Sequence, residues 1–111
     1  MFNPYYYNAK VLEVYDGDTI TVDVDFGFSI RMEMRIRLYG IDTPEIRGIE
    51  RPDGLISRDY LREMILGKDI ILETVKDSKG KYGRILGIIH FNGLNVNEHL
   101  INEGLAKKYG E

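Results

Sequence analysis

The strictest alternation in the chain runs from Ile30 to Leu38. Ile30, Met32, Met34, Ile36 and Leu38 take every second position, with Arg31, Glu33, Arg35 and Arg37 between them. A period of two predicts a strand with one core face and an opposite face carrying three arginines. Upstream, Ile20, Val22, Val24 and Phe26 alternate with Thr19, Thr21, Asp23 and Asp25, and Gly27 marks a hairpin corner between the two strands. Residues 9–15 are β-prone and predict a first strand, broken at Asp16-Gly17. From about residue 55 to 66 the period lengthens. Leu61, Met64 and Ile65 share a helical face with Ile56 or Ser57, while Arg58, Asp59, Arg62 and Glu63 point outward, and Gly67 supplies a stop. Residues 70–75 predict a strand, and residues 76–83 a polar loop leading into a further strand at 84–91. Asn92-Gly93 closes that strand with a tight turn. Asn95, followed three residues later by Glu98, resembles a capping box opening a short helix that Gly104 terminates.

The order is three strands, helix, two strands, helix. Five short strands with a helix between the third and fourth fit an OB-fold five-stranded β-barrel with about two packed helices, a β-rich α+β domain. The 111 residues make one domain, and no repeat, low-complexity tract or linker divides them. The absence of cysteine excludes disulfides, thiolate metal sites and a cysteine nucleophile. Two histidines, His90 and His99, exclude a zinc site built from several imidazoles, and both read as ordinary strand and helix residues. No apolar run reaches the ~18 residues of a membrane span. The start, Met1-Phe2-Asn3-Pro4, does not read as a signal peptide, so a cytoplasmic protein is expected.

Three polar clusters are not demanded by the local fold: Asp16-Gly17-Asp18-Thr19, Asp42-Thr43-Pro44-Glu45 and Lys81-Tyr82-Gly83-Arg84. Each has a plain reading taken singly: an Asp-Gly hairpin corner, a strand exit pinned by Pro44, and a solvated basic loop. Together they suggest more. Asp18, Asp42 and Glu45 fall at strand ends that a closed barrel can bring within a few ångströms, and clustered carboxylates call for a cation. Their hard oxygens suit Ca²⁺ or Mg²⁺. With Arg37 and Arg84 nearby, such a cation can hold a phosphate whose negative charge grows during reaction, which points to phosphodiester cleavage.

The same strings carry a family resemblance. Asp16-Gly17-Asp18-Thr19, then Arg37-Leu38-Tyr39-Gly40-Ile41-Asp42-Thr43-Pro44-Glu45, then Lys81-Tyr82-Gly83-Arg84, and finally Val96-Asn97-Glu98 through Gly104-Leu105-Ala106 resemble the ordered motifs of the staphylococcal-nuclease-like (thermonuclease) domains. The resemblance extends from about residue 9 to 107. It implies an OB-fold barrel and a Ca²⁺-dependent phosphodiesterase acting on DNA and RNA, with products bearing 3′-phosphates. By position, Asp18 and Asp42 would ligate the metal through their carboxylates and Thr43 through its backbone carbonyl. Glu45 would hold the attacking water, Arg37 and Arg84 would clamp the phosphate, and Lys81 and Tyr82 would touch a terminal phosphate. Gly80 stands where the family usually carries an aspartate. Tyr109 is one position out of register with a nucleotide-facing tyrosine, so it receives no role.

The alternatives are a binding module that kept the barrel and lost catalysis, and an adaptor built on the same fold. The complete set Asp18, Arg37, Asp42, Thr43, Glu45 and Arg84 favours the enzyme. The charge sharpens this. Fifteen basic against 18 acidic residues leave a net of −3, which argues against a broad basic nucleic-acid surface. Setting aside three carboxylates that share one cation leaves 15 of each sign. The expectation is a monomer without membrane association that grips DNA or RNA locally, with a shallow salt dependence. The start Tyr5-Tyr6-Tyr7 is expected to pack over a barrel mouth or a neighbouring subunit rather than to stack on bases.

Overall fold

Alternating β-branched residues dictate the architecture, and a computed structural model describes it for residues 5–75 and 85–109. Strands β1 (Tyr6–Asp16), β2 (Thr19–Asp25) and β3 (Arg31–Leu38) form an antiparallel meander. Strand β5 (Asp69–Val75) pairs with the other edge of β1, from Tyr6↔Glu73 to Lys10↔Asp69. This ladder draws β1 back to Tyr6, three residues before the sequence expectation, so Tyr6 and Tyr7 lie within a strand. Tyr7 packs edge-on against Phe26 with ring centroids 5.5 Å apart, while Tyr5 and Tyr6 are exposed. Strand β6 (Ile85–Phe91) continues antiparallel to β5 and then meets β3 in a short parallel ladder, Ile36↔Ile85, Arg37↔Leu86 and Leu38↔Gly87. That seam closes the five-stranded barrel. Bulges in β1 after Val11 and Val14 give the long strand the added bend that closure requires.

The apolar faces of these strands fill the interior. Val11, Val14, Ile20, Val22, Ile36, Leu72 and Ile89 are almost completely buried. Gly87 sits where the wall is thinnest: a Cβ there would lie 2.6 Å from Leu72 Cδ1 and 2.9 Å from Ile36 Cγ2. Gly87→Ala is therefore expected to destabilise the barrel by about 1–3 kcal/mol through overpacking, read as a lower melting temperature. An unchanged melting temperature would mean that Leu72 and Ile36 repack freely.

Two expectations need correction. The apolar face of β3 is buried only at Ile36 and Leu38; Met34 is half-buried, and Ile30 and Met32 are 56% and 52% exposed. The β2–β3 hairpin runs past the short β3–β6 seam, so among the described residues the first half of β3 pairs with β2 on one edge and with no strand on the other. In helix α1 (Arg51–Ile65) the buried stripe is Gly54, Ser57, Leu61 and Ile65, leaving Ile56 exposed. The helix also begins four residues earlier than the apolar pattern shows. Pro52 lies in its first turn, where proline's missing N–H costs nothing.

The other punctuation is as expected. Gly67 (φ +76°) follows α1, and Asn92 and Gly93 (φ +51° and +79°) turn β6 into the short β7 (Leu94–Asn95). Asn95 Oδ1 accepts from the Glu98 N–H at 3.1 Å, capping α2 (Val96–Asn102), and Gly104 (φ +76°) follows that helix. Short strands β4 (Ile41–Asp42) and β8 (Lys107–Lys108) pair beside the barrel. Among the described residues, no helix is long and apolar enough to cross a membrane.

Candidate functional site

The corner between β1 and β2 is a tight Asp-Gly turn, as its plain reading holds: Asp16 Oδ1 accepts from the Asp18 N–H at 3.0 Å. It is also more than a turn. Asp18 is only 7% exposed, and its Oδ2 accepts from the backbone N–H of Thr43, 25 residues further on, at 3.0 Å. Its Oδ1 accepts from the Thr19 hydroxyl at 3.2 Å. Gly17 allows this approach, because a Cβ there would lie 2.7 Å from Thr43 Cγ2 and 2.9 Å from Ser57 Cβ. The first and second sequence motifs are thus joined through a buried carboxylate.

Arg37 completes the junction. Its place on β3, opposite Thr19 on one side and Leu86 on the other, is set by the meander and the seam. Arg37 Nη1 lies 3.3 Å from Asp18 Oδ2 and donates to the Leu38 carbonyl at 3.1 Å, while Nη2 lies 3.7 Å from Asp42 Oδ1. The Arg37 and Asp18 side chains are nearly buried, whereas that of Asp42 is half exposed. The Tyr109 ring stacks against the guanidinium, 5.7 Å from its centroid. Register along the chain gave Tyr109 no role; the contact arises because the Tyr109 N–H bonds to the Gly40 carbonyl and extends the β4–β8 pairing.

Asp16 adds electrostatic crowding. Burial, and then hydrogen bonding and charge from Asp18 beside it, push its carboxyl up to about 6. On the other side of Asp18, Thr43 is 5% exposed and its Oγ1 has no hydrogen-bond partner among the described residues. Asp42, Thr43 and Pro44 wall a cavity of ≈ 460 Å³, with Asp53, Ser57 and Lys107 across from them.

The expected gathering of three carboxylates is not found. Among the described residues, no three His, Cys, Asp or Glu side chains converge at metal-binding dimensions. Asp18 and Asp42 converge on Arg37, whereas the exposed Glu45 is held from the helix side, its N–H donating to Glu50 Oε1 at 3.0 Å. The donors that do neighbour one another, the Asp18 and Asp42 carboxylates and the backbone of Thr43, are hard oxygens, suited in chemistry to Ca²⁺ or Mg²⁺. Lys81, Tyr82 and Arg84, with the expected loop at 76–83, lie outside the described residues. The histidines lie on a strand and a helix, as read from the sequence. His90 meets Glu73 Oε1 at 2.9 Å and His99 meets the Tyr60 hydroxyl at 2.7 Å.

Comparison with known proteins agrees with this arrangement. The family model described as "Staphylococcal nuclease homologue" matches residues 35–111. The thermonuclease of Staphylococcus hyicus is 35% identical over 101 residues, covering 88% of this chain and 57% of that protein. The thermonuclease of Staphylococcus intermedius is 33% identical over 100 residues, covering 87% and 56%. An uncharacterized endonuclease of Haemophilus influenzae is 28% identical over 101 residues, covering 91% and 52%. The chain thus spans little more than half the length of these relatives. With the closed barrel and the motifs that meet at Arg37, the family match places this chain in the staphylococcal nuclease family.

Proposed function

We propose that the chain is a Ca²⁺-dependent nuclease that hydrolyses phosphodiester bonds of DNA or RNA and leaves 3′-phosphates. The observation that carries this reading is the Asp18–Arg37–Asp42 bridge, tied to Thr43, in a chain related to thermonucleases and an endonuclease. The reading gives Asp18, Asp42 and the Thr43 carbonyl the task of holding Ca²⁺, which when bound neutralises phosphate charge and brings a water into reach. Glu45 orients that water and accepts its proton as the oxygen attacks phosphorus in line. The phosphorus–5′-oxygen bond breaks, the 5′-oxygen leaves with the bonding pair and takes a proton from water to become a 5′-hydroxyl, and the phosphate stays on the 3′ side.

Arginine suits the remaining work. Its planar fork gives two charge-assisted hydrogen bonds to phosphate oxygens, a geometry lysine lacks. Arg37 meets the oxygens on which charge accumulates, joined on the family pattern by Arg84, while Lys81 and Tyr82 hold a terminal phosphate. Arg37 lies 3.3 Å from Asp18 and 3.7 Å from Asp42, and these carboxylates keep the guanidinium at the site before a phosphate arrives.

The test is cleavage of single-stranded DNA and RNA with Ca²⁺ and, separately, with a chelator. Fragments that form only with Ca²⁺, and that accept a 5′-phosphate from a kinase without prior dephosphorylation, are expected. Intact nucleic acid under both conditions would overturn the reading and leave a binding module of the same family. Cleavage that persists with chelator would overturn the metal requirement.

A further inference from the structure

Glu45 lies on an exposed loop, yet the residues that open α1, from its N-cap Glu50 onward, hold the loop backbone at Glu45 and Ile46. The Glu45 N–H donates to Glu50 Oε1 at 3.0 Å, and the next carbonyl, that of Ile46, accepts from Arg51 Nη1 at 2.9 Å. The third constraint is steric. A Cβ on Gly54 would overlap the Glu45 carbonyl oxygen and lie 2.9 Å from that of Pro44. Glycine is a poor choice for the first turns of a helix, since it lowers helix propensity relative to alanine. Here it lets the loop seat directly on the helix, with Gly54 buried among the loop's own carbonyls.

We infer that Glu50 and Gly54 are positioning residues for Glu45: the Glu50 carboxylate latches its amide and the bare Gly54 backbone seats its carbonyl. This inference rests on the nuclease reading, in which Glu45 orients the attacking water. A side chain that orients water must be held in place before reaction, and an error of about 1 Å in placement can cost about a hundredfold in rate. The loop has no packed core of its own to do this, because Glu45, Arg47, Gly48, Ile49 and Glu50 are all exposed. The latch requires an acceptor oxygen and no charge, so a glutamine can replace Glu50.

The experiment compares wild type with Glu50→Ala, Glu50→Gln and Gly54→Ala in Ca²⁺-supported cleavage, with kcat and KM measured separately. Amide hydrogen exchange at Glu45 and melting temperature are read on the same proteins. Glu50→Ala is expected to lower kcat by roughly 10- to 100-fold with KM nearly unchanged, while Glu45 exchange accelerates. Glu50→Gln is expected to restore both readouts, and Gly54→Ala to resemble Glu50→Ala or to fold poorly. An active wild type with unaltered kcat in Glu50→Ala overturns the inference and leaves the nuclease reading standing. So does a Glu50→Gln variant as impaired as Glu50→Ala. A wild type that does not cleave overturns the nuclease reading, and the inference with it.

Discussion

Arg37→Ala is expected to lose at least about a hundredfold in turnover and, unusually for a catalytic substitution, a large part of the fold's stability. On the nuclease reading, the rate effect follows from removing a donor that meets developing phosphate charge. The stability effect follows from Asp18, which in the Ca²⁺-free protein would keep only Thr19 and Thr43 as hydrogen-bond donors and lose the guanidinium at 3.3 Å. Removing one partner of a buried ion pair costs about 3–5 kcal/mol, because the other charge stays in place. Arg37→Lys separates the two effects. Its ammonium can stay beside Asp18 but cannot span to Asp42 and present a planar fork, so most stability should survive and most rate should not. Thermal unfolding and single-turnover cleavage on both variants decide the matter. An Arg37→Ala protein as stable as wild type would show that the Asp18–Arg37 pair adds nothing to stability.

Asn97→Ala is expected to cost about 4 kcal/mol with no direct effect on chemistry, enough to lower the melting temperature by roughly 15–25 °C. Asn97 is 3% exposed and makes three hydrogen bonds to backbone. Its Nδ2 donates to the Tyr39 carbonyl at 2.9 Å and the Gly87 carbonyl at 3.0 Å, and its Oδ1 accepts from the Ile89 N–H at 3.1 Å. One side chain therefore ties α2 to β6 and to the turn after β3. The Gly87 carbonyl keeps the Tyr39 N–H when Asn97 is removed, but the Ile89 N–H and the Tyr39 carbonyl lose a buried partner. Each such loss costs about 1–3 kcal/mol. Asn97→Asp should be no better, since it trades two donors for oxygens facing carbonyls. Equilibrium unfolding in urea measures both variants, and a loss below about 1 kcal/mol would mean that water reaches these groups.

Local rules made much of this legible in the chain. The alternation at Ile20–Val22–Val24 and at Ile36–Leu38, the Asn92-Gly93 turn and the Asn95 cap all follow from near neighbours, and the structure contains each of them. The alternation could not show where the core stops. Ile30 and Met32 obey the same period as Ile36, yet they lie beyond the seam with β6, whose position depends on pairing residues nearly fifty apart. Likewise Asn97 looks like any polar residue on a short helix, and its burial is visible only once Tyr39, Gly87 and Ile89 surround it. At the site, motif order brought forward Asp18, Arg37 and Asp42, and the fold joins them. The three-carboxylate cluster failed because proximity in sequence after Pro44 says nothing about the pull of α1 on Glu45, and Glu50 carries no signal that would single it out from other surface acids.

The three rungs between β3 and β6 have a consequence for the order of folding. Arg37 is itself the middle rung, paired with Leu86 nearly fifty residues further on, so its place between Thr19 and Leu86 is complete only when β6 has joined the barrel. Contacts between residues far apart in sequence form late, because a long loop must close before they can add stability. A meander of β1 to β3 would carry Asp18 and Arg37 but would still lack the β6 rung and the Tyr109 ring beside the guanidinium. The surroundings of Arg37 are thus complete only when nearly the whole domain exists, and on the nuclease reading partly synthesised or partly unfolded chains should be inert toward nucleic acid.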